Sequence, residues 1–177
     1  MTIIAVTGVP GVGKTTAVIR AAQALKKRGL KVGGIVSREM KDGNIRIGFE
    51  FIDLTTNDRD VLASITGNGP KVGKYVVNLA GCHFAAKRLT NAMKNSDVII
   101  CDELGHMEFK SKEFIDCVRN LLELDKTVIV VVHKRLQHVL IDELKKRANV
   151  FVNIDLENRD KAHQILLDNL LLCSFAC

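Results

Sequence analysis

Short, uniformly apolar runs alternate along this chain with longer stretches whose apolar positions recur every three or four residues. Ile3-Ile4-Ala5-Val6, stopped by Gly8, is the first run, and so brief a stretch predicts a strand buried on both faces. Behind it Ala17, Val18, Ala21, Ala22 and Leu25 fall at helical spacing, and Gly29 supplies a C-cap. Further apolar strands are predicted at Val98-Ile99-Ile100-Cys101, over 128–132, and at Val150-Phe151-Val152. Between them lie four predicted helices. One covers 80–94 through Phe84, Leu89, Ala92 and Met93. One is capped by Ser111 and carries the stripe Phe114, Ile115, Val118, Leu121 and Leu122. The others are marked by Leu136, Val139, Leu140 and Leu144, and by Ala162, Ile165, Leu166 and Leu170.

One region departs from this alternation. The stretches 32–37 and 45–52 flank Asp42-Gly43-Asn44, and Ile45, Ile47, Phe49 and Phe51 alternate with Arg46, Gly48 and Glu50. That pattern predicts a half-buried antiparallel hairpin. Residues 55–74 have no periodicity, contain Gly67, Gly69, Pro70 and Gly73, and predict a mobile loop. Buried strands alternating with amphipathic helices imply a three-layer α/β/α fold around a mostly parallel sheet, with the hairpin added to it. No repeat, linker or low-complexity segment interrupts the chain, so one domain over 1–177 is expected.

With 47% hydrophobic and 26% charged residues, the chain belongs with globular rather than disordered sequences. Its net charge of +6 favours anionic partners, nucleotides and nucleic acid alike. The basic residues form short clusters at Lys26-Lys27-Arg28, Lys87-Arg88, Lys134-Arg135 and Lys145-Lys146-Arg147. Three clusters are expected near helix C-termini, where cations offset the helix dipole, so a nucleic-acid surface is the less favoured reading. The five cysteines show neither a C-x-x-C pair nor metal-ligand spacing and read as reduced thiols. No signal peptide is seen and no segment approaches a membrane span. A cytoplasmic protein with no membrane partner is expected.

The chemistry starts at Gly8-Val9-Pro10-Gly11-Val12-Gly13-Lys14-Thr15, which satisfies G-x-x-x-x-G-K-S/T and is followed by a second threonine, Thr16. Glycines let successive backbone N–H groups converge on phosphate oxygens, and the helix N-terminus behind them adds partial positive charge. Lys14 is placed to reach the β- and γ-phosphates, and the Thr15 hydroxyl to bind Mg²⁺. The similar-looking Val72-Gly73-Lys74-Tyr75 is no second P-loop, because Asn68 stands for the first glycine and Tyr75 for the metal-binding hydroxyl. Lys74 and Arg59 are either charges that close over the nucleotide or solvated loop cations.

Asp102-Glu103, after four buried-strand residues, is the expected partner of the P-loop. Asp102 is the candidate Mg²⁺ ligand, and Glu103 the candidate that orients or deprotonates the attacking water. Such a pair suggests the P-loop group of RecA-like type, in which another strand lies between the P-loop strand and the Asp-Glu strand. The strand 128–132 would be that inserted one. His133 at its tip is then either a polar sensor of the γ-phosphate or a capping, exposed histidine.

Taken together, the chain resembles the small P-loop nucleoside-triphosphatases of thermophiles and animals, the cancer-related nucleoside triphosphatase family. The residues that carry the resemblance are Val9 to Thr16, Arg46-Ile47-Gly48-Phe49, Val72-Gly73-Lys74-Tyr75-Val76-Val77, Asp102-Glu103-Leu104-Gly105-His106-Met107-Glu108 and Glu157-Asn158-Arg159-Asp160. The resemblance implies Mg²⁺-dependent hydrolysis of ATP, GTP and other triphosphates to diphosphate and phosphate. It also implies nucleotide contacts on the P-loop and on Ile99, Ile100, Cys101, Asp102, Glu103, Leu104, Gly105 and His106. His106 stands where many relatives carry lysine. Arg159 matches a family arginine that supplies positive charge to the transition state, or else pairs with Asp155 or Asp160.

Two alternatives stay open. A nucleotide or small-molecule kinase would use Asp102 or Glu103 on an acceptor hydroxyl, although 55–74 offers only Arg59, Lys71 and Lys74 as a lid. A nucleic-acid-associated switch would need a stacking surface, and the chain has one tyrosine and no tryptophan. The apolar tail after Asn169, Leu170 to Leu172 and then Phe175, is expected to dock on the core or on another subunit. No protein partner is identified.

Overall fold

The computed structural model describes residues 1–174. Its elements are β1 (Thr2–Gly8), α1 (Lys14–Lys27), β2 (Val32–Asp42), β3 (Ile45–Asp53), β4 (Arg59–Ser64), β5 (Lys71–Val72), β6 (Tyr75–Val77), α2 (Leu79–Asn95), β7 (Val98–Leu104), α3 (Lys112–Leu122), β8 (Thr127–Val132), α4 (Val139–Arg147), β9 (Val150–Ile154) and α5 (Ala162–Ser174). All the strands join one sheet in the order β5-β6-β4-β3-β2-β7-β8-β1-β9. The four apolar runs and the first part of β2, which was expected only in the hairpin, form its parallel block: β2 pairs with β7, β7 with β8, β8 with β1, and β1 with β9. β8 therefore separates the P-loop strand from the Asp-Glu strand, as the Asp-Glu pair suggested.

Two cores flank the sheet, because residues buried on alternate sides of each strand need cover on both. On one face Ile4, Val6, Ile100, Ile129, Val131 and Val152 pack under α1 and α5. On the other Ile3, Ile99, Cys101, Val128 and Val130 pack under α2, α3 and α4. The three-layer expectation holds. α1 stops where Gly29 adopts a φ of 85°; Gly29 N–H donates to Lys26 and Leu30 N–H to Leu25, closing a Schellman motif. Ser111 accepts the Phe114 N–H at 3.2 Å and caps α3 as its position predicts.

The antiparallel arm is larger than a hairpin. β3 pairs with β2 across the turn at Asp42 to Ile45, and β4, β6 and β5 extend the sheet beyond it, all antiparallel. The mobile loop expected over 55–74 is thus replaced in large part by strands. Leu62 and Ala63 of β4 are buried against α2, a tertiary burial that a stretch without long periodicity does not announce. Arg88 of α2 ties the preceding turn down, reaching Asp58 at 2.6 Å and the buried Asp53 at 3.5 Å.

The basic clusters divide differently from expectation. Lys26-Lys27 and Lys145-Lys146-Arg147 lie in last helical turns, whereas Lys87-Arg88 lies inside α2 and Lys134-Arg135 in the turn before α4. Two clusters, not three, therefore face helix C-termini. Of the apolar tail, Leu170 is buried while Leu171 and Leu172 are 44% and 69% exposed; Phe175 lies outside the described residues. Among these residues no helix is long and apolar enough to cross a membrane.

Candidate active site

β1 delivers the chain to Gly8, whose neighbour across the ladder is Ile154 of β9. A Cβ at Gly8 would stand 2.5 Å from the Ile154 carbonyl oxygen, so only glycine lets the two strands close here. The loop then turns, with Val12 N–H donating to the Val9 carbonyl at 3.3 Å. The Val12 side chain, 3% exposed, anchors the loop in the core under α1 and α5. Gly13 has a φ of 110° and caps α1, with no side-chain hydrogen bond and no acidic residue in the first turn. The first N–H groups of α1 are thus left for an external anion, and the helix dipole points its positive end at the same place.

Lys14 opens α1 and is 6% exposed. Its ammonium lies folded back over the loop, donating to the Gly8 carbonyl at 3.2 Å and the Val9 carbonyl at 3.3 Å. Thr15 is half-buried and Thr16 exposed on the same turn.

Asp102 faces this turn from β7. It is fully buried, and neither carboxylate oxygen has a hydrogen-bond partner among the described residues. Burial pushes its pKa up to about 7; the nearby Thr15 hydroxyl and Lys14 ammonium oppose that shift, and Glu103 adds to it. A buried, unpartnered carboxylate costs several kcal/mol in order of magnitude and is retained where something charged completes it. Mg²⁺ fits. It takes hard oxygen ligands, uses one or two carboxylates, and leaves its other positions to water and phosphate. Asp102 and the Thr15 hydroxyl are the oxygen donors at this spot. No group of three or more His, Cys, Asp or Glu side chains suited to an all-protein metal cage occurs among the described residues.

Glu103 follows, half-buried, joined to Asp102 by a cis peptide, with its Oε1 buried and unpaired among the described residues. The ladder between β7 and β8 breaks here: Cys101 pairs with Val130, and pairing resumes only at Leu104 with Val132. Ile99, Ile100 and Cys101 lie upstream of the break and their side chains fill the two cores. They shape the strand that presents Asp102. Leu104 accepts the His133 N–H at 3.0 Å, tying the end of β7 to the end of β8. The rings of His106 and His133 meet edge to face, with centroids 5.2 Å apart. Burial depresses the His133 pKa while the Glu103 carboxylate opposes the shift, which places this ring in the electrostatic field of the site.

Glu108 belongs to the same cluster, and sequence reasoning did not single it out as a site residue. It is 5% exposed and accepts the Gly105 N–H at 3.1 Å. Burial raises its pKa to about 8, with Glu103 and Asp102 contributing to the rise. Its signal in the sequence was the extension Gly105-His106-Met107-Glu108 behind the acidic pair.

Lys74 and Arg59 lie apart from it. Lys74 sits in the turn between β5 and β6, at the opposite edge of the sheet from β1. It stands over the Tyr75 ring at 5.3 Å and donates to the Arg46 carbonyl at 3.5 Å. Arg59 pairs with Glu50 at 3.0 Å. Neither closes over the P-loop. Arg159 lies in the turn after β9, the strand beside β1, where it is exposed and only 4.0 Å from Asp160. A groove of about 760 Å³ between α2 and α3 contains no residue of the P-loop or of the Asp-Glu strand.

The model of the family described as NTPase matches residues 3–167. The nucleoside-triphosphatase THEP1 of Methanopyrus kandleri is 40% identical over 170 residues, covering 95% of this chain and 94% of that protein. The protein of the same name from Methanosarcina barkeri is 43% identical over 159 residues, covering 89% of this chain and 90% of its own. Among solved structures, THEP1 from Aquifex aeolicus superposes with a TM-score of 0.82 at 29% identity, over 96% of this chain and 99% of that one. A human cancer-related nucleoside triphosphatase superposes with a TM-score of 0.78 at 32% identity, over 98% and 97%.

Proposed function

The chain belongs to the NTPase family, and on that footing we propose that it is a nucleoside-triphosphatase. It holds a nucleoside triphosphate and Mg²⁺ on the loop 8–15 and releases diphosphate and phosphate, with broad tolerance of the base. The observation that carries this reading is the pairing of an uncapped, glycine-led helix N-terminus with the buried, unpartnered carboxylate of Asp102.

Backbone N–H groups of 8–15 and the start of α1 bind the phosphates, and Lys14 exchanges its bonds to Gly8 and Val9 for phosphate oxygens. Asp102 and Thr15 hold Mg²⁺. When bound, the ion neutralises charge on the γ-phosphoryl group. Glu103, with one oxygen free of any partner among the described residues, holds a water in line for attack and accepts its proton. Triphosphate chemistry is common to all bases, and these groups address the phosphates; the broad substrate use proposed here is what the family resemblance implies. A cytoplasmic setting accords with the free thiols of Cys82, Cys101 and Cys117.

Phosphate release with Mg²⁺ across a panel of triphosphates, wild type against Glu103→Gln, tests the proposal. Hydrolysis is expected to fall at least about 100-fold while affinity for a non-hydrolysable analogue stays within about threefold. Undiminished hydrolysis would remove Glu103 from the mechanism. A phosphorylated acceptor appearing with the diphosphate would make the protein a kinase.

A further inference from the structure

We infer that Glu108 is a positioning residue for Glu103, acting through the Gly105 amide that its carboxylate accepts. The inference rests on the reading of Glu103 given above.

Glu103 stands in the gap where the β7–β8 ladder is open, between Cys101↔Val130 and Leu104↔Val132. Strand pairing therefore does not set its backbone directly. The chain immediately downstream is fastened at two points. The Leu104 carbonyl takes the His133 N–H at 3.0 Å, and the Gly105 N–H is taken by Glu108 at 3.1 Å. The second clasp comes from a firm base. Glu108 begins a 3₁₀ turn, Glu108–Lys110, whose end leads into the Ser111 cap of α3. Within that turn Phe109 N–H donates to Gly105, Lys110 N–H to Met107 and Ser111 N–H to Glu108.

Packing alone does not account for a carboxylate here. Glu108 is 5% exposed, and no ion pair reaches it among the described residues. An apolar side chain would fill the space without the cost of burying a polar group. What the carboxylate supplies is an acceptor for an otherwise orphaned, buried amide. It also lies flush on the glycine: a Cβ at Gly105 would stand 2.9 Å from Glu108 Oε2. Freed of this clasp, the turn that carries Glu103 on one side and His106 on the other loses its second anchor. A displacement of the attacking water's partner by an ångström is enough to cost catalysis while leaving the phosphate cradle untouched.

The test compares Glu108→Leu, which removes the acceptor, with Glu108→Gln, which keeps an accepting oxygen. Steady-state Mg-GTP hydrolysis and binding of a non-hydrolysable GTP analogue are measured, with a thermal melt of each variant. Glu108→Leu is expected to lower kcat about 10- to 100-fold with KM and analogue affinity within about threefold; Glu108→Gln is expected to restore kcat to within about threefold of wild type. In the double variant Glu103→Gln/Glu108→Leu, loss of Glu108 should cost nothing beyond Glu103→Gln alone. Should Glu108→Leu fail to fold, Gly105→Ala perturbs the same clasp and takes its place. Three results overturn the inference: Glu108→Gln as slow as Glu108→Leu, Glu108→Leu with unchanged kcat, or full additivity in the double variant. Wild-type hydrolysis by Glu103→Gln alone instead sinks the reading of Glu103 itself.

Discussion

The Lys14 ammonium lies 3.2 Å from the Gly8 carbonyl oxygen, so this cation is held against the backbone of its own loop. Lys14 is the one buried lysine among the described residues, and charge-assisted bonds of this kind contribute roughly 1.5–3 kcal/mol each. Lys14→Met should therefore weaken triphosphate binding about 10-fold or more and lower hydrolysis by at least about 100-fold. Calorimetric titration and phosphate release measure the two effects separately.

Asp102 yields a prediction of opposite sign for stability and activity. Its carboxyl titrates near pH 7 in the fold against 3.8 in the unfolded chain, and burial is the main cause. Between those values the folded protein binds a proton that the unfolded chain releases, so this group's contribution to stability falls as pH rises from about 4 to about 7 and then levels off. Asp102→Asn removes that titration. Without nucleotide or Mg²⁺, the variant should match wild type near pH 4 and exceed it by roughly 1–3 kcal/mol at pH 8, read by urea denaturation. Its Mg²⁺-dependent hydrolysis should nevertheless collapse. A variant no more stable than wild type at pH 8 would show that the carboxylate is not an uncompensated charge.

Arg88 anchors the start of the antiparallel arm through Asp53 and Asp58. Asp53 is 2% exposed, and its other bonds run to Thr55 N–H and Thr56 Oγ1. Arg88→Ala leaves that buried carboxylate without its cation and should destabilise the protein by about 1–3 kcal/mol. Hydrogen exchange should rise first over 53–64. Uniform acceleration across the sheet would mean instead that the arm does not open separately.

Lys74 lies at the far edge of the sheet from the P-loop, held against Tyr75 and the Arg46 carbonyl. Lys74→Ala should leave kcat/KM within about twofold of wild type. A tenfold loss would place the β5–β6 turn over the nucleotide.

Much of this architecture could be read along the chain because its determinants are local. Four uniformly apolar runs led to the parallel block, and the Asp102-Glu103 pair led to the order of β1, β8 and β7. Gly29 and Ser111 marked helix ends whose caps close within a few residues. Residues 59–64 were missed for the opposite reason: β4 forms by pairing with β3 and burying Leu62 and Ala63 under α2, partners remote in sequence. Lys74 and Arg59 were plausible lid charges only while 55–74 was taken for a loop.

The candidate site divides in the same way. Phosphate-binding chemistry was legible because it needs glycines, a lysine and a threonine at consecutive positions, and a strand and helix on either side. The acidic pair was legible because it ends an apolar run. What distinguishes Asp102 from Glu103 and Glu108 is environment: a buried carboxylate with no partner, one left in a break of the β7–β8 ladder, and one spent on the Gly105 amide. Residue type and spacing, which the sequence carries, determined where the proposed meeting of phosphate and a divalent cation falls on this chain. Burial, ladder register and the hydrogen bonds of one turn exist only once the sheet has formed, so only the tertiary structure decided the three different environments of these carboxylates.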